Sequence, residues 1–366
     1  MKPMSQTTSR VSELIVTLSL FEIGSTTLFM LGGEAKQDAW LAMLIGAIVG
    51  LFLLLLHLSI HRQDPSLDLF LLFRRYLGKY LGTIMNLLFV GYFTYETSRN
   101  LRDLGEVTVM TLLNQTSLWI IMLVTIIVIS NTVRYGPEIF FFVCMIIFPV
   151  IVITYVVISI LIPATGLLHI EFFQPILEKG LKPVLKAAIP DIVSFPFGQT
   201  VLFLVFYPLA TKGRNLSRAV IISYSLTALF LTAFNQLNIL VLGPKLAANI
   251  TLPFLTTVQL IQLPEVLERM DAFFTLVLFL GLGVKMAAFF NGATIGMERI
   301  TGISSKKWVL PLAALIYGLA FISPNYIHHI EIGRGVVVKY WWPVFQFVLP
   351  LLLYIVMLIR RKKKAS

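Results

Sequence analysis

Long runs of hydrophobic residues recur from one end of the chain to the other, with short polar segments between them. Runs of roughly 18 or more apolar residues can cross the bilayer core as helices. The pattern predicts an all-α polytopic membrane protein, a single transmembrane domain over residues 1–366. We count ten transmembrane helices: 12–32, 39–60, 82–104, 117–133, 137–162, 184–210, 216–242, 268–296, 307–323 and 342–360.

The distribution of Lys and Arg predicts the orientation of these spans. With the N-terminus in the cytoplasm, 18 of the 29 basic residues fall on the cytoplasmic side, including the tail "RRKKK". Eight fall on the outer side and three within spans. Because cytoplasmic loops carry an excess of Lys and Arg, both termini are predicted to be cytoplasmic.

Two of the apolar runs contain residues that interrupt a helix. Span one carries "SLFEIGSTTLF", with Glu22 and Gly24 followed by hydroxyl residues, and span six carries "SFPFGQT" with Pro196, Gly198 and Gln199. Ordinary kinks are one explanation, since Gly and Pro are frequent in membrane helices. However, spans one and six hold the same place in two halves of five, 12–162 and 184–360. This predicts a five-plus-five inverted repeat with broken helices 1 and 6 and a central binding site at the breaks.

The first break has groups suited to a small ligand. A half-helix that begins near Gly24, Ser25 and Thr26 offers backbone N–H groups to a carboxylate, helped by the helix dipole. Glu22 would repel a carboxylate. It suits a ligand amine, a proton site or half of an ion pair.

Other charges lie inside predicted spans, where each needs a partner or a function. Tyr92, Glu96, Arg99 and Asp103 share one face of span three and can form a ladder of ion pairs. Alternatively, Tyr92 and Glu96 line the site. Lys285, the lone charge in the apolar stretch of span eight, is expected to face the protein interior. It is either an ion or proton site or a static partner of Glu22.

Composition excludes several classes of function. Hydrophobic residues make up 57% and charged residues 13%, well below the roughly 25% charge of soluble domains. A single cysteine, Cys144, excludes disulfide frameworks and thiolate metal clusters. The net charge of +11 is concentrated at the predicted cytoplasmic ends. We therefore expect contact with anionic lipid and no nucleic-acid binding.

Candidate chemistry outside the breaks is sparse. The sequence has no phosphate-binding glycine loop and no nucleophile–histidine constellation, so we expect no catalytic residues, no enzyme activity and no cofactor. His328 and His329 precede Glu331 in the last predicted outer loop, where a solvated loop is a better explanation than a metal site. Asp191 is expected to be an interfacial cap at the outer start of span six.

Several short motifs together resemble one family. They are "FEIGSTTLF…KQDAWLAMLIG", "RYLGKYLG", "RNLRDLGEVTVMTLLNQT", "NTVRYGPEIF", "FPFGQTVLFLVFYP" and "LERMDAFF". The combination resembles the B-subunits of spore germinant receptors, the endospore germination permeases, over essentially the whole chain. Lys36 stands where the family usually has glycine.

This resemblance implies the fold of the amino acid–polyamine–organocation superfamily and a location in the spore inner membrane. It implies A-type and C-type partner subunits and recognition of a nutrient such as an amino acid. By the superfamily pattern, the ligand would meet Glu22, Gly24, Ser25 and Thr26 at the first break. At the sixth helix it would meet four residues: Phe195, Phe197, Gly198 and Gln199. Gln199 departs from the acidic residue expected in many relatives.

The sequence thus predicts a nutrient-binding, transporter-fold subunit of a germinant receptor. Two alternatives stay open. One is a proton-coupled amino-acid transporter that uses Lys285 or Glu22, and the other is a scaffold subunit that binds no ligand and positions the A-type partner.

Overall fold

The computed structural model describes residues 10–210, 215–261 and 271–365, and every regular element within these ranges is a helix. An all-helical chain is what the apolar sequence requires, since a helix bonds its own backbone N–H and C=O groups in hydrocarbon. The predicted all-α class is confirmed.

Seven helical segments in the described part of the chain are long and apolar enough to cross a membrane. Together with the apolar composition, they make this an integral membrane protein. The segments are Val11–Leu28, Gly33–Gln63, Pro137–Ala164, Leu181–Leu209, Leu216–Leu242, Ala272–Thr301 and Tyr326–Arg361.

Three further helices coincide with the predicted spans three, four and nine. They are α4 (Lys79–Thr111), α5 (Leu118–Val133) and α13 (Ser305–Leu319). The first is rich in charged and polar residues, and the other two are only 16 and 15 residues long. Because of this polarity and these short lengths, the three helices are not among the seven membrane-crossing segments. The count of ten spans therefore stays a prediction, as does the inverted repeat.

The other α-helices are labelled in chain order. They are α1 (Val11–Ile23), α2 (Ala39–Gln63), α3 (Leu69–Leu77), α6 (Pro137–Ala164), α7 (Leu181–Ala187), α8 (Phe203–Phe206), α9 (Leu216–Leu242), α10 (Pro244–Asn249), α11 (Pro253–Gln259), α12 (Asp271–Thr301), α14 (Tyr326–Ile332) and α15 (Leu349–Ala365). The first residues of predicted span eight, 268–270, lie outside the described residues, and Arg269, counted above among the outer basic residues, is one of them.

The centre of the molecule is built on α1, α4 and α12. Helix α12 lies along α4 and also packs on α1, α5 and α6, while α1 packs on α9. Small residues on α2 allow the sixth predicted span to come close. A Cβ atom on Gly46 would overlap the side chain of Ile192, and one on Gly50 would overlap that of Phe197. Close helix packing through small residues is typical of membrane proteins.

The segment before predicted span ten, residues 326–341, is helical, whereas the sequence predicts an outer loop there. Tyr326–Ile332 is an α-helix, and it continues through two π-helical stretches, Gly333–Trp341 and Val344–Val348, into α15. The sequence of this segment is polar enough to resemble a loop. The helix forms because its buried residues, such as His329 and Val338, pack on the protein. Both π-helical stretches pack against the sixth predicted span.

Candidate functional site

The first predicted break is present at Gly24. Helix α1 ends at Ile23, Gly24 has a non-helical backbone, and the chain continues as a 3₁₀-helix at Thr26–Leu28. The Thr26 hydroxyl donates to the carbonyl oxygen of Glu22 and so satisfies one of the carbonyl groups that the break frees.

The second predicted break lies between Ile192 and Phe203. A π-helical turn, Ala188–Ile192, is followed by a 3₁₀-helix at Phe197–Leu202 and then by α8. Gln346 Nε2 donates to Ser194 O at 3.0 Å, so a side chain from the last membrane helix satisfies a backbone group at this break. A Cβ atom on Gly198 would overlap the Gln346 side-chain amide, so this close approach leaves room only for glycine.

A cavity of about 230 Å³ lies between the two breaks, α4 and the π-helical segment. We call this the central cavity. Its wall contains charged side chains of both signs, several backbone positions of the first break, and aromatic rings. The lining residues are Ser25, Phe29, Met30, Leu31, Gly32, Gly33, Glu34, Glu96, Arg99, Asn100, Asp103, Ala187, Asp191, Ile192, Phe195, Gln199, Ala248, Ile330, Arg334, Val338, Lys339 and Trp342.

The structure brings four of the predicted site residues to this cavity: Ser25, Glu96, Phe195 and Gln199. The remaining predicted residues pack around it without lining it, namely Glu22, Gly24, Thr26, Tyr92, Phe197, Gly198 and Lys285. These residues are positioned to support the two breaks.

Glu96 is fixed by two donors from different parts of the chain. Trp342 Nε1 donates to its Oε1 at 2.5 Å, and Gln199 Nε2 donates to its Oε2 at 3.1 Å. The carboxylate is buried, with 1% of the residue's surface exposed. It therefore ties the second break and the last membrane helix to α4.

The predicted ladder of ion pairs along α4 does not form. Arg99 makes no ion pair with Glu96 or Asp103 in the described residues, and its Cζ instead lies 5.5 Å from the centre of the Trp342 ring. Asp103 Oδ1 lies 3.5 Å from His329 Nε2. The spacing on one helix face allowed the ladder, but partners from the segment 326–342 compete for these side chains.

Lys285 faces the protein interior, as predicted, and is completely buried. Its Nζ lies 4.6 Å from the ring centre of Phe195 and 5.2 Å from that of Phe21. Glu22 and Lys285 interact electrostatically, but the Glu22 carboxylate and Lys285 Nζ have no hydrogen-bond partner in the described residues. A direct ion pair between them, one of the two expectations for Lys285, is not present.

Part of the cavity wall was not expected from the sequence. Asp191 lines the cavity, although it was expected to be an interfacial cap. Arg334 and Lys339 also line it, because their segment is a helix, and so does Trp342 at the start of predicted span ten. His329, expected in a solvated loop, is only 8% exposed. The cluster of charges in 328–339 was the available signal, since charges beside an apolar run often mark a site.

Metal-binding side chains are not clustered in the described ranges, where no group of three or more His, Cys, Asp or Glu residues could hold a metal ion. The wall of the central cavity instead offers charged groups, amides and aromatic rings. These are groups that can contact a small organic ligand.

Comparisons with known proteins point to one family. A family model described as "Spore germination protein" matches residues 9–328. The chain is similar to spore germination protein KB of Bacillus subtilis (strain 168), with 28% identity over 361 residues that cover 97% of this chain and 95% of the relative.

Two further relatives come from the same strain. Spore germination protein YndE is 22% identical over 326 residues, which cover 88% of this chain and 89% of the relative. Spore germination protein B2 is 23% identical over 312 residues, which cover 85% of this chain and 84% of the relative. Since the family match extends over most of the chain, this protein belongs to the spore germination protein family.

Proposed function

We propose that this protein is the nutrient-sensing membrane subunit of a spore germination receptor, and that it binds a small molecule in the central cavity. The observation that carries the proposal is a cavity between two helix breaks with charges of both signs in its wall. An amino acid is the favoured ligand class.

The charges of the cavity suit a zwitterion. Its wall carries carboxylates from Glu34, Glu96, Asp103 and Asp191, and it carries cations from Arg99, Arg334 and Lys339. A ligand with both an ammonium and a carboxylate group can meet both kinds of charge at once. A purely apolar ligand would offer these groups no hydrogen bond and no opposite charge, which is costly for those of them that are buried or half-buried.

The size and the apolar wall limit the ligand. The cavity of about 230 Å³ is smaller than the roughly 300–1,000 Å³ pockets of drug-sized ligands. Phe29, Phe195 and Ile330 form part of its wall and suit an apolar side chain. These features favour a small amino acid with a short or apolar side chain.

We assign direct ligand contacts to Ser25, Glu96, Phe195 and Gln199. Glycines 24 and 198, with Thr26, Tyr92 and Phe197, hold the two breaks in shape behind this surface. Glu22 and Lys285 are the candidates for an ion or proton site.

The membrane arrangement that we propose has ten spans in a five-plus-five inverted repeat, with both termini in the cytoplasm. The protein would lie in the inner membrane of the spore, with an A-type and a C-type receptor subunit as partners and lipid around it. Membership of the spore germination protein family supports this setting.

Proton-coupled amino-acid transport is a second candidate. It is favoured by one observation, the burial of Glu22 and Lys285 without hydrogen bonds within the described residues. A lysine and a carboxyl group in such surroundings can exchange a proton when a ligand or water enters.

Two measurements separate these candidates. Purified protein is first heated with each of the standard L-amino acids, and a ligand-dependent rise in Tm is expected for the receptor. The protein is then placed in liposomes with a pH gradient and a labelled form of the stabilising amino acid. Concentrative uptake would favour the transporter, and binding without uptake would favour the receptor. If no amino acid raises the Tm, the scaffold alternative is favoured.

A further inference from the structure

Among the described cations of the central cavity wall, Arg99 differs from Arg334 and Lys339 in having a buried nitrogen atom that lacks a hydrogen-bond partner. Its guanidinium lines the cavity, and its Nη1 atom is buried without a hydrogen-bond partner in the described residues. In the described residues, no carboxylate oxygen lies within 4.0 Å of an Arg99 nitrogen, the distance that defines an ion pair. Arg102, on the same helix, shows the usual arrangement, with Glu106 at 2.7 Å.

The neighbouring carboxylates do not pair with Arg99, although Asp103 Oδ1 accepts no hydrogen bond in the described residues. Both oxygens of Glu96 accept hydrogen bonds from Trp342 and Gln199. Asp103 lies next to His329, at 3.5 Å. A buried guanidinium nitrogen without a hydrogen-bond acceptor is costly, so a ligand that brings an anion to Arg99 Nη1 is stabilised here.

The Arg99 side chain is held in place by the π-helical segment. Its Cζ lies 5.5 Å from the centre of the Trp342 ring, which suits a cation–π contact. The guanidinium also lies against Gly333, where a Cβ atom would overlap Arg99 Nη2. Only glycine at position 333 therefore lets the guanidinium approach this backbone, and the group is positioned before any ligand arrives.

We propose that Arg99 is the carboxylate-binding residue of the site and that the ligand class is therefore a carboxylic acid, an α-amino acid in the simplest case. This rests on the proposed function and names the ligand chemistry of the same cavity. The planar guanidinium can bind both carboxylate oxygens through two parallel N–H···O bonds. The ligand ammonium then faces acceptors that lack a donor in the described residues, Gln199 Oε1 and Asp191 Oδ1.

The packing of the first break supports this assignment over binding of the carboxylate at Gly24. The Gly24 N–H donates to Leu20 O at 2.9 Å and so is already bonded. Gly24 also lies against Gly281 and the Lys285 side chain and does not line the cavity. The carboxylate pole of the ligand accordingly lies on α4 rather than on the broken helix.

The test compares each standard L-amino acid with its carboxamide, which keeps the ammonium and the side chain but lacks the carboxylate. The readout is the ligand-dependent shift in Tm of the purified full-length protein. We expect at least one amino acid to raise the Tm and its carboxamide to bind about tenfold more weakly or worse. This comparison uses the wild-type protein, so it does not depend on the folding of any variant.

Three variants extend the test to the residue itself. Arg99→Gln is expected to abolish the shift, and Arg99→Lys, which keeps the charge but loses the planar fork, is expected to weaken binding about tenfold. Arg102→Gln is the matched control, since it removes an equal charge from the same helix outside the cavity. It is expected to keep the ligand-dependent shift, measured from its own Tm.

Two outcomes would overturn the assignment while leaving the proposed function intact. One is equal stabilisation by the amino acid and its carboxamide. The other is unchanged affinity in a folded Arg99→Gln variant. If neither amino acids nor carboxamides raise the Tm of the wild-type protein, the proposed function fails and the assignment of Arg99 fails with it.

Discussion

The backbones of Gly24 and Gly281 touch, because a Cβ atom on Gly281 would lie 3.0 Å from the Gly24 carbonyl oxygen. The first break of the chain is thus pressed against α12 with no side chain between them. Gly24 was expected to form part of a break, but its pairing with Gly281 is a tertiary contact that the sequence does not reveal.

Replacing Gly281 with valine is expected to destabilise the protein by about 1–3 kcal/mol, since overpacking forces the two backbones apart. The change should also weaken ligand binding, because Ser25, the neighbour of Gly24, lines the cavity. Thermal unfolding of the purified protein measures the first effect, and the ligand-dependent shift in Tm measures the second.

Gly283→Ala is the matched control for this substitution. Gly283 lies two residues further along α12, and a Cβ atom there would meet only Ile129 Cδ1, at 3.8 Å, among the described residues. Alanine is favoured over glycine in a helix by about 0.5–1 kcal/mol, so the control should be neutral or slightly stabilising. Equal effects at the two positions would contradict the close contact at Gly281.

Replacing Glu96 with glutamine should weaken ligand binding and reduce stability. A carboxylate accepts from both Trp342 Nε1 and Gln199 Nε2, whereas an amide has one oxygen and an NH₂ group that faces a donor. Hydrogen bonds to charged groups contribute about 1.5–3 kcal/mol, so a loss of roughly tenfold to a hundredfold in affinity is expected. The Tm with and without amino acid, measured over a range of ligand concentrations, provides both values.

The double variant Glu96→Gln, Trp342→Phe tests the cause of this loss. Phenylalanine removes one of the two donors that compete for the single amide oxygen, so the second change should cost less in the Glu96→Gln background than in the wild type. If the losses of stability from the two single changes add up to that of the double variant, the Trp342–Glu96 hydrogen bond does not couple the last membrane helix to α4.

The two breaks and three lining residues, Ser25, Glu96 and Gln199, were predictable from the sequence because they depend on local chemistry, whereas Phe195 was implied only by the family resemblance. Gly24 and Pro196 interrupt a helix whatever surrounds them, and Glu96 and Gln199 are polar groups that need partners in an apolar run. Such features are visible without knowledge of which helices are neighbours.

The remaining wall of the cavity depends on tertiary packing. Arg334 is brought to the cavity because the polar segment before span ten is helical, and Trp342, at the start of predicted span ten, is brought there by its hydrogen bond to Glu96 of α4. The same contacts explain why Arg99 stacks on Trp342 instead of pairing with Glu96. A spacing of three or four residues shows which side chains share a face but not which neighbours compete for them.

Asn235 is expected to be essential for the geometry of the cavity mouth. Its side chain binds both backbone groups of Leu31, since Oδ1 accepts from Leu31 N at 3.1 Å and Nδ2 donates to Leu31 O at 2.9 Å. Leu31 itself lines the cavity. Asn235→Leu keeps a similar volume but leaves both groups without partners, which should cost about 1–3 kcal/mol for each.

Thermal unfolding of Asn235→Leu and Asn235→Asp shows whether the two hydrogen bonds to Leu31, which we call the Asn235 clamp, stabilise the protein beyond general packing. Aspartate keeps the acceptor for Leu31 N–H and loses the donor to Leu31 O, so it is expected to lose less stability than leucine, which loses both. Asn249→Leu, an exposed position where the side chain bonds to Lys245 O, is a suitable control. A stability loss at Asn235 no larger than that at Asn249 would argue against the clamp.

Glu22 and Lys285 are expected to be energetically coupled. The two groups interact electrostatically across the interface between α1 and α12 without a direct ion pair, and both are buried. Removing one charge leaves the other buried and less compensated, so Glu22→Gln and Lys285→Met should each destabilise the protein. The double variant removes both charges and should lose less stability than the sum of the two single losses.

A coupling free energy of about 0.5–3 kcal/mol is expected for residues that interact in this way. Chemical unfolding of the four proteins in the same detergent measures it, and additive losses would mean that the two charges act independently.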